Sequence, residues 1–420
     1  MNDIALPFES QGLHLHLISM HTSPLAQPGS GDAGGMNVYI DRSLREMLRR
    51  YRQLSVEVFT LLTEPLGRQV QQISERAVIH YISLPQAVGA SKEDLPGLVT
   101  DFAAAMRKAA RSKPDLIHAH YWLSGLAALE AGWQAPLVQT MHTTAAAKDA
   151  RAGFGEKLEP QERYLGEKKL AAQAAALVVN TELEAEQMQK FYGAAPEQLA
   201  VIAPGVDTGI FRPLPSQPPL HAGSDRAGRL VFAGRLQPLK GAHLLVEALS
   251  LLARDLQVEL LIIGQDTAGY GDRLLKQVQQ AGLQEQVRFL APLSAWDLAS
   301  QFRQADIVAC PSSSETFGLV ALEAQACGTA VLASDVDGLR SAVQDNYSGL
   351  LVQPRTGQAW AQAIEHLIRH PQLRLKLGQQ ARARALQMRW SDTADALIKL
   401  YYNLSDPVLG EGKAASQRCS

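Results

Sequence analysis

Cysteine is scarce: Cys310, Cys327 and Cys419 are the only three in 420 residues. No two of them stand at metal-ligand or redox spacing, and Cys310 and Cys327 lie in apolar stretches where a reduced thiol packs as a small hydrophobe. Neither a disulfide framework nor a cysteine-held metal is therefore expected. Long hydrophobic runs are lacking too, since the apolar stretches have strand length and fall short of the roughly 20 residues that cross a bilayer as a helix. The opening "MNDIALPFESQG" has no basic region, apolar core or small-residue cleavage site of a secretory signal, so a cytoplasmic location is expected. An excess of one charge is also missing. With 40 Lys and Arg against 42 Asp and Glu, the net charge is −2, without the basic surplus of a nucleic-acid binder.

What is present is alternation. "LHLHLIS" (13–19), "LSVEVFTLL" (54–62), "AVIHYISL" (77–84), "PDLIHAH" (114–120), "PLVQTMH" (136–142), "AALVVN" (175–180) and "LAVIAPG" (199–205) are apolar runs separated by helix-patterned segments. Their apolar residues are continuous, which marks strands buried on both faces of a parallel sheet. A stretch dense in Pro, Gly and Ser, "VDTGIFRPLPSQPPLHAGSDRAG", follows as a linker. The alternation then resumes with "RLVFAG", "VELLIIG", "VRFLAP", "ADIVACPS", "TAVLAS" and "SGLLVQP". The pattern predicts an α/β protein with two Rossmann-like domains, residues 1–210 and 211–390, and a C-terminal helix with a frayed tail over 391–420. Ser391 is expected to cap that helix ahead of an apolar stripe through Ala394, Leu397 and Leu400. Ligands of such folds bind beyond the carboxyl ends of the strands and at domain interfaces, so the cleft between the halves is the expected site.

Three motifs fall at such strand ends. In "GDAGGMNVYIDRSLREMLRR", Gly34 and Gly35 join a strand to a helix, where bare backbone lets amides approach an anion; a tight loop would use them as well. In "FAGRLQPLKGAHLLVEAL", Arg235 ends a strand and Lys240 stands at a helix start, a place the helix dipole disfavours for a cation unless an anion is near. In "PSSSETFGLVALEAQACG", Glu315 precedes a turn, Phe317, Gly318 and Leu319 are placed to offer helix-start amides, and Glu323 lies two turns on in an apolar segment. An acid at that depth suits ribose hydroxyls.

These residues together resemble the retaining glycosyltransferases of family 4, which have the GT-B architecture of two Rossmann-like domains facing across a cleft; the likeness runs over residues 12–405. The resemblance implies that Arg235 and Lys240 grip the diphosphate of a UDP-sugar and Glu323 its ribose. By the same likeness Glu315 and the amides of Phe317, Gly318 and Leu319 order the sugar and phosphate, while Gly34 and Gly35 close over the β-phosphate from the other domain. No cofactor beyond the donor substrate and no metal is implied. Transfer would proceed with retention, the leaving phosphate taking the acceptor's proton, and His142 lying near the transferred sugar.

Lys92, Tyr121, Thr143 and Arg163 match the phosphate-binding set of the inositol-phosphate glycosyltransferases of this family, with Asn37 placed to meet an acceptor hydroxyl. His120 and Lys148 stand in the same loops. The family also holds the compact sucrose-phosphate synthases, whose acceptor is fructose 6-phosphate. Glutamine-rich passages such as "KQVQQAGLQEQ" turn the expectation to sucrose-phosphate synthesis, with an N-acetylglucosaminyl transfer to D-inositol 3-phosphate as the alternative. The partners are thus small molecules. A rival reading is a membrane-surface glycolipid transferase, because Arg42, Arg45, Arg49 and Arg52 share one helix face opposite Leu44, Met47, Leu48 and Tyr51.

Overall fold

A computed structural model of the chain describes residues 12–29, 33–62, 69–91, 93–150, 158–214, 228–266 and 269–405. Contacts divide the chain into two units, one made of Met1–Ala26, Met36–Ile202 and Ser391–Ser420, the other of Gln27–Gly35 and Ala203–Trp390.

The first unit contains β1 (Leu13–Ile18), α1 (Gly35–Arg50), β2 (Leu54–Leu62), β3 (Val70–Ser74), β4 (Ala77–Ser83), α2 (Val99–Ala109) and β5 (Leu116–His120). It continues with α3 (Trp122–Ala131), β6 (Leu137–Thr140), α4 (Ala145–Asp149), α5 (Gln161–Gln173), β7 (Ala176–Val179), α6 (Glu182–Tyr192) and β8 (Leu199–Val201). The strand order is β3-β4-β2-β1-β5-β6-β7-β8, every pairing parallel except that of β3 with β4. Edge strand β3 was not expected. Its residues "VQQIS" are largely polar and exposed or half-buried, so it gives none of the apolar signal by which the buried strands are recognised.

The second unit holds β9 (Gly228–Ala233), α7 (Ala242–Leu251), β10 (Val258–Ile263), α8 (Tyr270–Gln280), β11 (Val287–Leu290), α9 (Ala295–Gln304) and β12 (Ile307–Cys310). It is completed by α10 (Leu319–Ala326), β13 (Ala330–Ser334), α11 (Asp337–Ala342), β14 (Leu350–Val352), α12 (Gly357–Arg369) and α13 (Pro371–Ala385). Its six strands run parallel in the order β11-β10-β9-β12-β13-β14. Successive residues feed opposite cores: Leu230 and Phe232 of β9 join one apolar cluster, and Val231 between them joins the other. This burial on both faces is what makes the strands read as unbroken apolar runs.

The last helix, α14 (Trp390–Ser405), groups with the first unit from Ser391 on. It starts one residue before the expected cap, so Ser391 lies inside its first turn, and the buried stripe is Ala394, Leu397, Ile398 and Tyr401 while Leu400 stays half-buried. At 3.6 residues per turn each step of three drifts by about 60°, so Leu400 falls about 120° from Ala394 and the buried stripe runs through Ile398 and Tyr401 instead. Tyr401 is fully buried and its hydroxyl stands 2.6 Å from Nδ1 of His118 on β5. At the helix surface Arg50 makes a bidentate pair with Asp395 at 2.6 and 2.7 Å.

On α1, Leu44, Met47 and Leu48 are buried as expected, but the arginine face is internally compensated. Arg45 pairs with Asp41 at 2.6 Å and Arg49 with Glu46 at 2.5 Å, and Arg52 lies beyond the helix end. No described helix is long and apolar enough to cross a membrane. The expected tail after 405, most of the linker and Lys92 lie outside the described residues.

Replacing Tyr401 by Phe keeps the apolar contacts of α14 but strands a buried imidazole nitrogen, for which a loss of about 1–3 kcal/mol is expected. Chemical denaturation of wild type and variant measures the difference.

Candidate functional site

In each sheet the strand order reverses at one place, between β1 and β5 in the first and between β9 and β12 in the second. Loops leaving the carboxyl ends of these strands diverge to opposite sides of the sheet and open a crevice there. Of the expected site residues, Gly34, Tyr121, Arg235, Lys240, Glu315, Phe317 and Gly318 fall on those loops, His142 and Thr143 follow β6 instead, and Gly35, Asn37, Arg163, Leu319 and Glu323 stand on helices.

In the second unit, Arg235 follows β9 by two residues and Lys240 closes the short turn Pro238–Lys240 just before α7. Gly241, at φ 76°, caps α7; a Cβ there would stand 2.2 Å from the carbonyl oxygen of Pro311, so only glycine lets the β9 loop lie against the loop after β12. The amide of Ser313 completes the junction by donating to Leu239 O at 2.8 Å. Lys240 Nζ thereby meets Glu315 Oε1 at 2.6 Å, and Ser312 Oγ donates to the same oxygen at 2.9 Å. The Lys240 and Glu315 side chains are 20 % and 22 % exposed. A pair so placed is worth about 0–1 kcal/mol, so either partner exchanges it for a ligand group at little cost.

Helix α10 begins at Leu319 behind Gly318, whose φ of 104° favours glycine. The helix-start donors are therefore those of Leu319, Val320 and Ala321, two residues later than expected. Phe317 is 4 % exposed and serves the core. Glu323 is half-buried one turn into α10, not two, because the residues from Glu315 to Gly318 are not helical. The segment 27–35 groups with this second unit, where the expectation had Gly34 and Gly35 acting from the other domain. A Cβ on Gly34 would lie 3.9 Å from Arg235 Nε, and one on Gly35 3.6 Å from Leu319 Cδ1, which places both glycines beside predicted donor residues.

In the first unit, Tyr121 and His142 follow β5 and β6 with φ of 74° and 59°. Non-glycine residues held so cost on the order of 1–3 kcal/mol each and cluster at functional sites. Nδ1 of His120 stands 2.9 Å from Nε2 of His142, and His118 stacks under His120 with ring centroids 4.1 Å apart while reaching Thr140 Oγ1 at 2.8 Å. A ring-to-ring bond needs one bare nitrogen, so His120 and His142 cannot both be protonated while it stands. Burial pushes His118 down to about 3, with repulsion from His142 added, and burial also pushes His142 to about 3. His120 falls well below its ordinary value by burial and by its two neighbours.

Arg163 on α5 is 4 % exposed beneath the Tyr121 ring, its guanidinium carbon 5.0 Å from the ring centroid. It donates to Thr143 O and Oγ1 at 2.9 and 3.1 Å, to Glu167 at 2.8 Å and to Glu159 at 2.7 Å. Lys148 on α4 also binds Glu159. The expected cluster of Tyr121, Thr143 and Arg163 is thus assembled, but Arg163 is already compensated by two carboxylates. Glu159 bridges Arg163 and Lys148 as an anionic ligand would. Asn37 is 1 % exposed, and its amide donates to Thr22 Oγ1 at 2.9 Å and Ser23 O at 2.6 Å, a clamp on the loop after β1.

Sequence reasoning passed over His118, Glu159, Glu167 and Arg355. Arg355 follows β14 and donates to Pro311 O at 3.1 Å. It stands after a strand as Arg235 does, and that position was the available signal. Nothing local marks Glu159 or Glu167.

Residues 34–205 match the family model described as "Glycosyl transferase 4-like domain" and residues 222–384 the model "Glycosyl transferases group 1". A D-inositol 3-phosphate glycosyltransferase of Jonesia denitrificans is 42 % identical over 92 % of this chain and 95 % of its own. Among solved structures, a sucrose-phosphate synthase from Thermosynechococcus elongatus superposes with a TM-score of 0.85 at 28 % identity, covering 93 % of this chain and 99 % of that one. Anabaena HepE, solved with UDP-glucose, superposes at 0.70 and 20 % identity over 93 % of this chain and 100 % of its own, a likeness of fold alone. Two Rossmann-like units bearing these matches define an enzyme of the GT-B class, a glycosyltransferase. The chain belongs to glycosyltransferase family 4.

Between about pH 6.5 and the folded values of His118 and His120, the unfolded chain binds protons that the folded chain refuses, so stability falls as pH drops through that window. Denaturation midpoints taken from pH 7 to pH 4 should decline, and the slope should lessen in a His120→Gln variant.

Proposed function

We propose that the chain transfers a glycosyl group, with retention at the anomeric carbon, from a UDP-sugar to a hydroxyl of a phosphorylated polyol, and that this acceptor is D-inositol 3-phosphate. The sequence likeness to enzymes of that name carries the choice, at 42 % against 28 % for the sucrose-phosphate synthase. It reverses the expectation drawn from glutamine-rich passages such as residues 276–286, which span the end of α8 and the loop before β11. The backbone likeness to sucrose-phosphate synthase supports fructose 6-phosphate as a second acceptor to test.

On the donor side, Arg235 and Lys240 sit where the strand order reverses, beside the starts of α7 and α10. Cations and helix-start amides together suit a diphosphate. As the bond from the anomeric carbon to the diphosphate oxygen breaks, negative charge grows on the leaving group, and Lys240 exchanges Glu315 for it. Glu315 is then released to accept a sugar hydroxyl, and Glu323 accepts from the ribose. The acceptor oxygen forms the new bond on the same face and gives its proton to the leaving phosphate. His142, uncharged, is a hydrogen-bond partner for a hydroxyl of the transferred sugar and takes no part as an acid.

On the acceptor side, the phosphate takes the place of the Glu159 carboxylate between Arg163 and Lys148, with Thr143 and Tyr121 adjoining. Arg163 keeps Glu167, which neutralises its buried charge when the phosphate is absent.

Product masses from UDP-glucose and UDP-N-acetylglucosamine, each offered D-inositol 3-phosphate and fructose 6-phosphate, identify donor and acceptor; no glycosylated product in any pairing would refute the reading. Lys240→Ala should lower kcat about 10²–10³-fold at saturating donor. Lys148→Ala should raise the acceptor KM about tenfold and Glu159→Gln should lower it, with the donor KM unmoved in both. An acceptor KM indifferent to both changes would place the phosphate elsewhere.

A further inference from the structure

Two histidines of the first strand and a glutamate of the second meet on one face of the first sheet, away from the strand ends that carry the site. His14 and His16 alternate along β1, and the parallel register sets Ser55 beside His14 and Glu57 beside His16. Nε2 of His14 lies 3.1 Å and Nε2 of His16 3.7 Å from Oε1 of Glu57. One ligand atom from each of the three residues falls within 4.8 Å of the others. Donors bound tetrahedrally at about 2.0–2.1 Å from a zinc ion stand roughly 3.4 Å apart, a spacing the observed distances bracket.

His16 is fully buried, and among the described residues neither of its ring nitrogens has a hydrogen-bond partner within 3.5 Å, Oε1 of Glu57 lying 3.7 Å from Nε2. Native interiors rarely leave such atoms unmet. Its ring is held edge-on by Trp133 and Phe59, at centroid distances of 4.6 and 5.0 Å. The other two groups are braced: Nδ1 of His14 by Ser55 Oγ at 2.8 Å, Oε2 of Glu57 by Nε2 of His80 at 2.8 Å and the Arg111 amide at 2.9 Å, and Oε1 of Glu57 by the amides of Arg111 and Ser112 at 3.2 Å each. Outer contacts of this kind orient metal ligands. Ser112 Oγ, 2.8 Å from Nε2 of His14 and 3.3 Å from Oε1 of Glu57, borders the remaining side, where a water would complete the coordination.

We propose that His14, His16 and Glu57 bind one divalent transition-metal ion, zinc by the softness of two imidazoles beside one carboxylate, and that the ion ties β1 to β2. Binding uses the bare Nε2 of both neutral imidazoles, so His14 carries its proton on Nδ1, facing Ser55 Oγ at 2.8 Å. The ion has no part in glycosyl transfer.

The test uses the untagged full chain stripped with chelator, titrated with Co²⁺ as a spectroscopic probe and with Zn²⁺ by calorimetry. One equivalent per chain is expected, with the visible bands of low-coordinate Co²⁺, and Zn²⁺ at a hundredfold over its Kd should raise Tm by roughly 5 °C. His14→Asn, at the half-exposed ligand, should keep its circular dichroism and lose at least about tenfold in Zn²⁺ affinity. Absence of saturable one-equivalent binding in the wild type, or undiminished affinity in the folded variant, would overturn the proposal.

Discussion

Burial of parallel strands on both faces is the constraint from which the rest follows. A strand such as β9, with Leu230 and Phe232 facing one core and Val231 the other, has no solvent side on which to carry polar chemistry. Polar groups are displaced to the strand ends, and at the carboxyl ends the following helices begin, adding unpaired amides and the positive end of a dipole. The reversal of strand order then selects which loops frame the crevice: those after β9 and β12 in one unit, those after β1 and β5 in the other. Arg235, Lys240, Glu315 and Tyr121 stand on such loops, and His120 ends strand β5 at the same edge.

At these positions the two units solve the same electrostatic difficulty differently. Lys240 and Glu315 are partly exposed and share one bond, an arrangement that can re-form around a ligand without stranding a charge. Arg163 is nearly buried and could not be left bare; Glu167, with no exposure at all, holds it permanently, while Glu159 shares it with Lys148 at the rim. A buried cation must keep one carboxylate whatever else binds. The neutral imidazoles of His118, His120 and His142 follow the same rule in reverse, giving up charge where no carboxylate is at hand.

Much of this was legible beforehand. Apolar runs located thirteen of the fourteen strands, missing only polar β3, and the Arg235, Lys240 and Glu315 set was read from its place after strands and before helices. Errors arose where a single residue decided a boundary. Ser391 moved from cap to first turn, Leu400 gave its place in the buried stripe to Ile398 and Tyr401, and Gly318 rather than Phe317 opened α10. The choice of acceptor rested on surface composition, which is free to drift because it contacts only water. The histidines of "LHLHLIS" were read as part of an apolar strand; only the register that sets Glu57 beside His16 gives them a meaning.

By itself the sequence determined the class of fold, the order of its elements and the family, since periodicity and glycine placement are local properties that burial and backbone sterics translate directly into structure. Tertiary structure alone decided which charges compensate one another. Glu57 reaches His14 and His16, Glu315 reaches Lys240, and Tyr401 reaches His118 across separations of 43, 75 and 283 residues for His14, Lys240 and His118 respectively. No local rule carries such pairings, because they are fixed by strand register and helix docking, which depend on the whole of each core.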